Sequence, residues 1–183
     1  MVKTMTKYFT IADFEEEELW LREQHKKGWK FVSATIPCFY RFEQCEPEDV
    51  IYRLDFTNDE SPDDYLQMLS DFGWEHVGNC VGWEYYRKPA AEADTEEDGE
   101  LFSDDESRAE QVDKIMRSRM LPIFLLFFAS VLPNFIRVLE GEYIGPWGMA
   151  AGALFCVLFA LYVYIIVHCT VKLRNIRNRY RKD

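Results

Sequence analysis

The sequence predicts an α+β protein: two strand-helix-strand-strand units form an antiparallel sheet with both helices on one face, and a two-helix transmembrane hairpin follows. Three observations carry this. Trp20-Leu21, Gly28-Trp29, Val32 and Tyr40 recur as Tyr65-Leu66, Gly73-Trp74, Val77 and Tyr85 at a constant offset of 45, with no gap. Each copy has a helix start signal, Asp13 and Ser61, and a glycine stop, Gly28 and Gly73. Met120–Leu139 and Gly145–Val171 are apolar runs, each reaching the roughly 20 residues that a spanning helix needs.

In the first unit, Lys7–Ile11 reads as a short strand. Asp13, with Glu16 three residues on, reads as a capping box that opens a helix through Lys27. Glu15–Glu18 place negative charge at the positive end of that helix, and Gly28 is a natural stop. Trp29–Thr35 and Phe39–Gln44 follow as an antiparallel pair with Pro37 in the connection. In the second unit Val50–Phe56 is the strand; its Tyr52, Leu54 and Phe56 alternate with Ile51, Arg53 and Asp55, giving one apolar and one wet face. Ser61 caps the next helix with Pro62 at its first position, Tyr65, Leu66, Leu69 and Phe72 share a face, and Gly73 ends it. Trp74–Val77 and Trp83–Lys88 close the unit, with Gly78-Asn79 as turn chemistry. Two copies of such a unit predict a six-stranded sheet or two abutting three-stranded ones.

The net charge divides unevenly along the chain. Residues 1–89, the predicted cytoplasmic domain, hold 18 acidic and 10 basic side chains. Residues 90–113 hold 11 and 1, and residues 114–183 hold 3 and 10. The middle stretch is too acidic and too poor in large apolar side chains to offset its ordering entropy, so it reads as a disordered linker. Within it Leu101-Phe102 has the look of a docking motif, and Ser103 stands in an acidic context suited to modification. Lys114, Arg117 and Arg119 precede the hairpin, and Lys172, Arg174, Arg177, Arg179, Arg181 and Lys182 follow it, while the turn between spans carries Glu140 and Glu142. The positive-inside rule then places both termini and the domain on the cytoplasmic side of an inner membrane. No signal-peptide core precedes Glu15–Glu18, so a cleaved leader is not expected. The soluble part lacks the clustered Lys and Arg of a nucleic-acid surface. No Cys/His spacing suits zinc, and no cofactor is expected.

The glutamate-rich helix with Trp20-Leu21, then Gly28-Trp29, Tyr40-Arg41-Phe42, Tyr52-Arg53-Leu54-Asp55, Gly73-Trp74-Glu75 and Tyr85-Tyr86-Arg87-Lys88 resembles the bacterial domain-of-unknown-function family 2812 (DUF2812) over about residues 5–89. Members of that family often carry transmembrane helices after the domain. The resemblance implies a folded domain and no activity. In topology alone, duplicated units of this kind are similar to the effector-binding domains of the gyrase-inhibitor-like group, in which two units enclose a groove for small, often cationic aromatic molecules.

Seventeen aromatic residues fall within residues 1–88. One reading makes them a core of large side chains; the other makes them a groove between the repeats. In the second, Trp29, Tyr40, Trp74 and Tyr85 face a planar or cationic ligand, and Glu43 or Glu84 supplies the counter-charge. If Val32 is core, Trp29, three residues before it on the strand, points away from the core. His25 reads as a solvated helix position and His76 as an exposed strand position, and neither has a Ser or Cys neighbour of the kind a nucleophile-base pair needs. Catalysis is therefore not expected. Gly148-Met149-Ala150-Ala151-Gly152 permits close helix approach, either between the two spans or between protomers of a homo-oligomer. The partners expected are the lipid bilayer and either a small molecule or a protein, giving a ligand sensor or an adaptor of a larger membrane complex.

Overall fold

The computed structural model describes residues 1–36, 38–57, 62–93, 95, 97–101 and 105–181. Its two compact units are Met1–Gln111 and Val112–Asp183. Pro37, Ser61, Phe102, Ser103 and Lys182, singled out above, lie outside the described residues.

The first unit holds two three-stranded antiparallel sheets. In one, β1 (Val2–Thr6) and β2 (Trp29–Thr35) flank β3 (Phe39–Gln44); in the other, β4 (Val50–Phe56) and β5 (Glu75–Cys80) flank β6 (Trp83–Pro89). Helix α1 (Phe14–Lys26) joins β1 to β2, and α2 (Asp63–Asp71) joins β4 to β5. The sheets abut along β2 and β5, and the Arg87 guanidinium donates across the seam to the Phe31 carbonyl at 3.3 Å. Three strands fall at their predicted bounds. The first does not: Val2–Thr6 pairs with β3, and Lys7–Ile11 is the connection.

Asp13 occupies the cap position of α1, but its carboxylate turns back to accept from the Thr10 amide and hydroxyl at 2.7 and 2.6 Å, so the expected capping box is not made. Gly28 ends α1 with φ +82°, and a Cβ there would stand 3.0 Å from the Cys45 carbonyl oxygen. The predicted turn at Gly78-Asn79 is instead part of β5, where Gly78 follows a bulge opposite β6. The reversal is made by Val81 and Gly82, both at positive φ (54° and 77°), as a two-residue hairpin turn of mirror-image type requires.

The helices do not share a face of the second sheet. Tyr52, Leu54 and Phe56 pair with Arg87, Tyr85 and Trp83 on the face toward α1, where Phe14 meets Trp83 at a ring separation of 5.3 Å. Ile51 and Tyr86 lie on the other face with Leu69 of α2 and Trp74. The reason is that β4 is buried on both faces, not apolar on one and wet on the other. The polar residues on its second face are satisfied internally. Tyr65 donates to Asp55 at 3.1 Å, and Arg53 forms a two-bonded pair with Glu100 at 2.9 Å.

That last contact also corrects the reading of residues 90–113. Ala90, Ala93 and Leu101 pack on the Ile51 cluster, the Lys88 ammonium donates to the Asp98 carbonyl at 3.3 Å, and Arg108 pairs with Glu100. Asp105–Ile115 is a helix, α3. Charge alone suggested disorder; Glu100 of this stretch has a basic partner, Arg53, 47 positions away.

In the second unit the chain continues through α4 (Leu121–Leu126) and α5 (Leu132–Leu139), then α6 (Gly145–Tyr180). Each of the first two is preceded by a wider, π-type run, Met116–Met120 and Phe127–Val131, just before Pro122 and Pro133. A proline removes an amide donor and crowds the carbonyl four residues back, which a widened turn accommodates. Two helices, Ser107–Leu139 and Gly145–Tyr180, are long and apolar enough to cross a membrane, and only 6% of the most apolar window of each is buried. Leu125, Phe128, Trp147 and Val157 stand exposed, an apolar surface of the kind that lipid covers. Between the helices, Phe135 stacks on Phe159 at 4.0 Å. A Cβ on Gly148 would lie 2.9 Å from the Tyr143 carbonyl carbon, and one on Gly152 would lie 3.5 Å from Tyr143 Cβ. The small-residue stripe therefore seats the turn of its own hairpin.

Candidate functional site

Glu17, Leu21 and His25 recur every four residues and so share one face of α1. All three are buried, and the two polar ones meet side chains of both sheets. Tyr40 of β3 donates to Glu17 Oε1 at 2.9 Å, and Tyr85 of β6 donates to the same oxygen at 2.7 Å. One carboxyl thus ties the two sheets together through α1. Burial holds that carboxyl above the ordinary range despite its two tyrosine donors. Burial and the Glu17 charge push both tyrosines upward in turn.

Glu18 serves a different purpose. β4 is an edge strand, and the outward amide of Leu54 donates to Glu18 Oε1 at 2.8 Å. Glu18 Oε2 stands 3.3 Å from the Arg53 guanidinium. Gln111 Nε2 donates to the Leu54 carbonyl at 3.1 Å, so both outward backbone groups of that residue are paired. Burial pushes the Glu18 carboxyl up to about 7, against the pull of Arg53 and the Leu54 amide.

Two turns along α1 from Glu17, His25 Nδ1 bonds the Tyr52 hydroxyl at 2.8 Å. Its ring lines a solvent-open cleft of about 260 Å³ where the sheets adjoin. Lys30 from β2, Glu75 from β5 and Arg87 from β6 form the walls, and Cys45, Glu46 and Glu48 from the β3–β4 connection form the rim. Arg87 donates through Nε to Glu75 Oε2 at 2.7 Å and makes a second bond to the other oxygen. That pair holds the Glu75 carboxyl below the usual range. Burial, then the nearby Arg87 and Lys30 charges, hold the His25 imidazole below its own. His25 is thus a buried cleft residue and not the solvated position expected.

The six residues predicted to frame an aromatic groove do not form one. Tyr40 and Tyr85 meet at Glu17. Trp29 is half-buried beneath the Lys3 ammonium, 5.2 Å from its ring centre, and Glu43 is half-buried on β3. Trp74 is core beneath α2, and Glu84 is buried with His76 Nε2 at 2.6 Å. The core position of β2 is Phe31; Val32 falls at a bulge and is only partly buried.

The two hairpin turns also differ in length by one residue. Thr35 pairs with Phe39 in the first hairpin, whereas Cys80 pairs with Trp83 in the second. The second turn is one residue shorter, and along β6 Tyr85 faces Glu17 of α1 while Glu84 lies on the opposite face with His76. Sequence reasoning missed Glu17, His25, Lys30 and Arg87 as a group. The four-residue spacing on α1 was a signal for the first two; nothing local marks the others. Among the described residues no group of three His, Cys, Asp or Glu is placed to hold a metal ion.

The chain is thus an α+β domain of two abutting three-stranded sheets with a charged cleft at their seam, ahead of two apolar helices of membrane-spanning length. It belongs to the family described as protein of unknown function (DUF2812), whose profile matches residues 13–126 and so reaches past the acidic stretch into the first apolar helix. No curated protein and no solved structure matches it.

Proposed function

We propose that this is a membrane-anchored, non-enzymatic binding protein whose cytoplasmic domain recognises a small molecule in the cleft between its sheets. The observation that carries the reading is the cleft itself: about 260 Å³, open to solvent, and lined by charged side chains from α1, β2, β5 and β6. Specific small-molecule sites combine such a concavity with a few convergent polar groups. His25, the cleft's candidate base, commits Nδ1 to a tyrosine and not to a nucleophile, which favours binding over catalysis. The basic residues at the outer ends of the hairpin favour cytoplasmic termini. The common strand order of the two sheets favours reading them as copies, with the second hairpin one residue shorter.

The alternative, an adaptor whose hairpin joins a larger membrane complex, would lean on the small-residue stripe, and Tyr143 of the same hairpin occupies that stripe. The test is thermal unfolding of the full chain in detergent against a panel of small cations, anions and zwitterions. Stabilisation that disappears in Lys30→Met supports the cleft; a flat response across the panel refutes it.

A further inference from the structure

We infer that the inner end of the cleft, where His25, Lys30 and Arg87 converge, is an anion subsite for the carboxylate or phosphate group of a small ligand whose other end is uncharged or cationic. The inference deepens the binding reading and rests on it. Three donors from three elements line one cavity: His25 at the end of α1, Lys30 on β2, and Arg87 on β6. His25 is 5% exposed, and its bond to Tyr52 uses Nδ1, which leaves Nε2 as the remaining polar atom of a ring that lines the cleft. Arg87 is anchored by Glu75 on one side and the Phe31 carbonyl on another, so its guanidinium is held in place before any ligand arrives.

Lys30 and Arg87 are the cations of the lining; of its three carboxylates, Glu75 is already bonded to Arg87, and Glu46 and Glu48 stand exposed on the β3–β4 connection. Burial first, and then the fields of Arg87 and Lys30, weaken protonation of His25, and a bound anion would offset those fields. The rim has the opposite sign, with Glu46 and Glu48 exposed on the β3–β4 connection. A polyanion would meet repulsion there, whereas an amine or neutral tail would not. At roughly 30 Å³ per water-sized element the volume of about 260 Å³ admits a ligand of about eight or nine non-hydrogen atoms.

The experiment uses the full chain in detergent, with its three histidines isotope-labelled so that His25 is read by its titration midpoint. The probes are inorganic phosphate, butyrate and 4-aminobutyrate. Each should raise the His25 midpoint and the unfolding temperature, and 4-aminobutyrate should bind more tightly than butyrate. Lys30→Met should weaken all three about tenfold, and Glu46→Gln with Glu48→Gln should abolish the preference for the amine. An unchanged midpoint with all three probes overturns the subsite. So does an effect of phosphate that persists undiminished in Lys30→Met, which would place the anion on the basic tail. If small cations stabilise the chain while these anions do not, the subsite fails and the binding reading survives; if nothing binds, both fail.

Discussion

Replacing Glu18 by Gln removes one ionisable group while keeping a side-chain oxygen able to accept from the Leu54 amide, 2.8 Å away in the native chain. The carboxyl is 8% exposed, and its value rises from an ordinary 4.5 to about 7, mainly through burial. Between those values the folded chain holds a proton that the unfolded chain has released. Stability from this group is therefore complete below pH 4.5 and declines as pH rises through about 7. A shift of that size corresponds to about 3 kcal/mol. His25 acts in the opposite sense: its lowered value makes stability rise with pH through the imidazole range. The wild-type curve mixes these with the raised Glu17 and the lowered Glu75 and Asp49, and the difference between Glu18→Gln and wild type isolates Glu18.

Urea unfolding of the full chain in micelles, followed by tryptophan fluorescence, gives that difference at each pH. The variant should match wild type at about pH 3.5 and exceed it by about 3 kcal/mol at about pH 8.5. The protection factor of the Leu54 amide, corrected for base-catalysed intrinsic exchange, should fall with pH more steeply in wild type than in the variant. A constant difference across the range, or a wild type that gains on the variant as pH rises, would show that attraction to Arg53 outweighs burial and would refute the reasoning.

Gly28→Ala should destabilise the domain by about 1–3 kcal/mol, because a side chain at positive φ is strained and its Cβ would stand 3.0 Å from the Cys45 oxygen; equilibrium denaturation measures it. Val81→Asn should stabilise by about 1 kcal/mol, since a branched residue at φ 54° is strained where Asn-Gly is the favoured pair; a raised unfolding midpoint checks it. Gly148→Leu should separate the two apolar helices at their turn, because Tyr143 carbonyl atoms lie where its Cβ must go. Reduced cross-linking between cysteines introduced at positions 135 and 159 reports that loss, the native rings there standing 4.0 Å apart. Gln111→Leu should cost about 1–2 kcal/mol by leaving the Leu54 carbonyl unpaired, again by denaturation.

How much of this was legible depended on range. β2, β3 and β4 are written in local alternation, and their bounds follow from sequence. β1 is not, because Tyr8, Phe9 and Ile11 alternate about as well as Val2–Thr6, and only pairing with β3 decides between them. The second hairpin misled for a physical reason: Gly78-Asn79 has turn chemistry, while the residue that turns, Val81, is a poor candidate for positive φ. The apolar helices were legible because composition and length suffice. The candidate site was not. Lys30 and Arg87 lie 57 positions apart, and their convergence depends on two sheets meeting at β2 and β5. The acidic stretch was misread because its partners, Arg53 and Lys88, belong to the folded domain.

The pairing of Leu54 with Glu18 and Gln111 has a consequence for biosynthesis. Chains fold from the amino end as they leave the ribosome. The open border of β4 therefore waits for a residue that emerges after every strand of both sheets is complete. When Gln111 clears the exit tunnel, the apolar run beginning at Met120 is close behind it. Glu18 can hold the Leu54 amide early, but the Leu54 carbonyl gains its partner only as the apolar segment nears the tunnel mouth, so closing of that strand border coincides with delivery of the apolar helices.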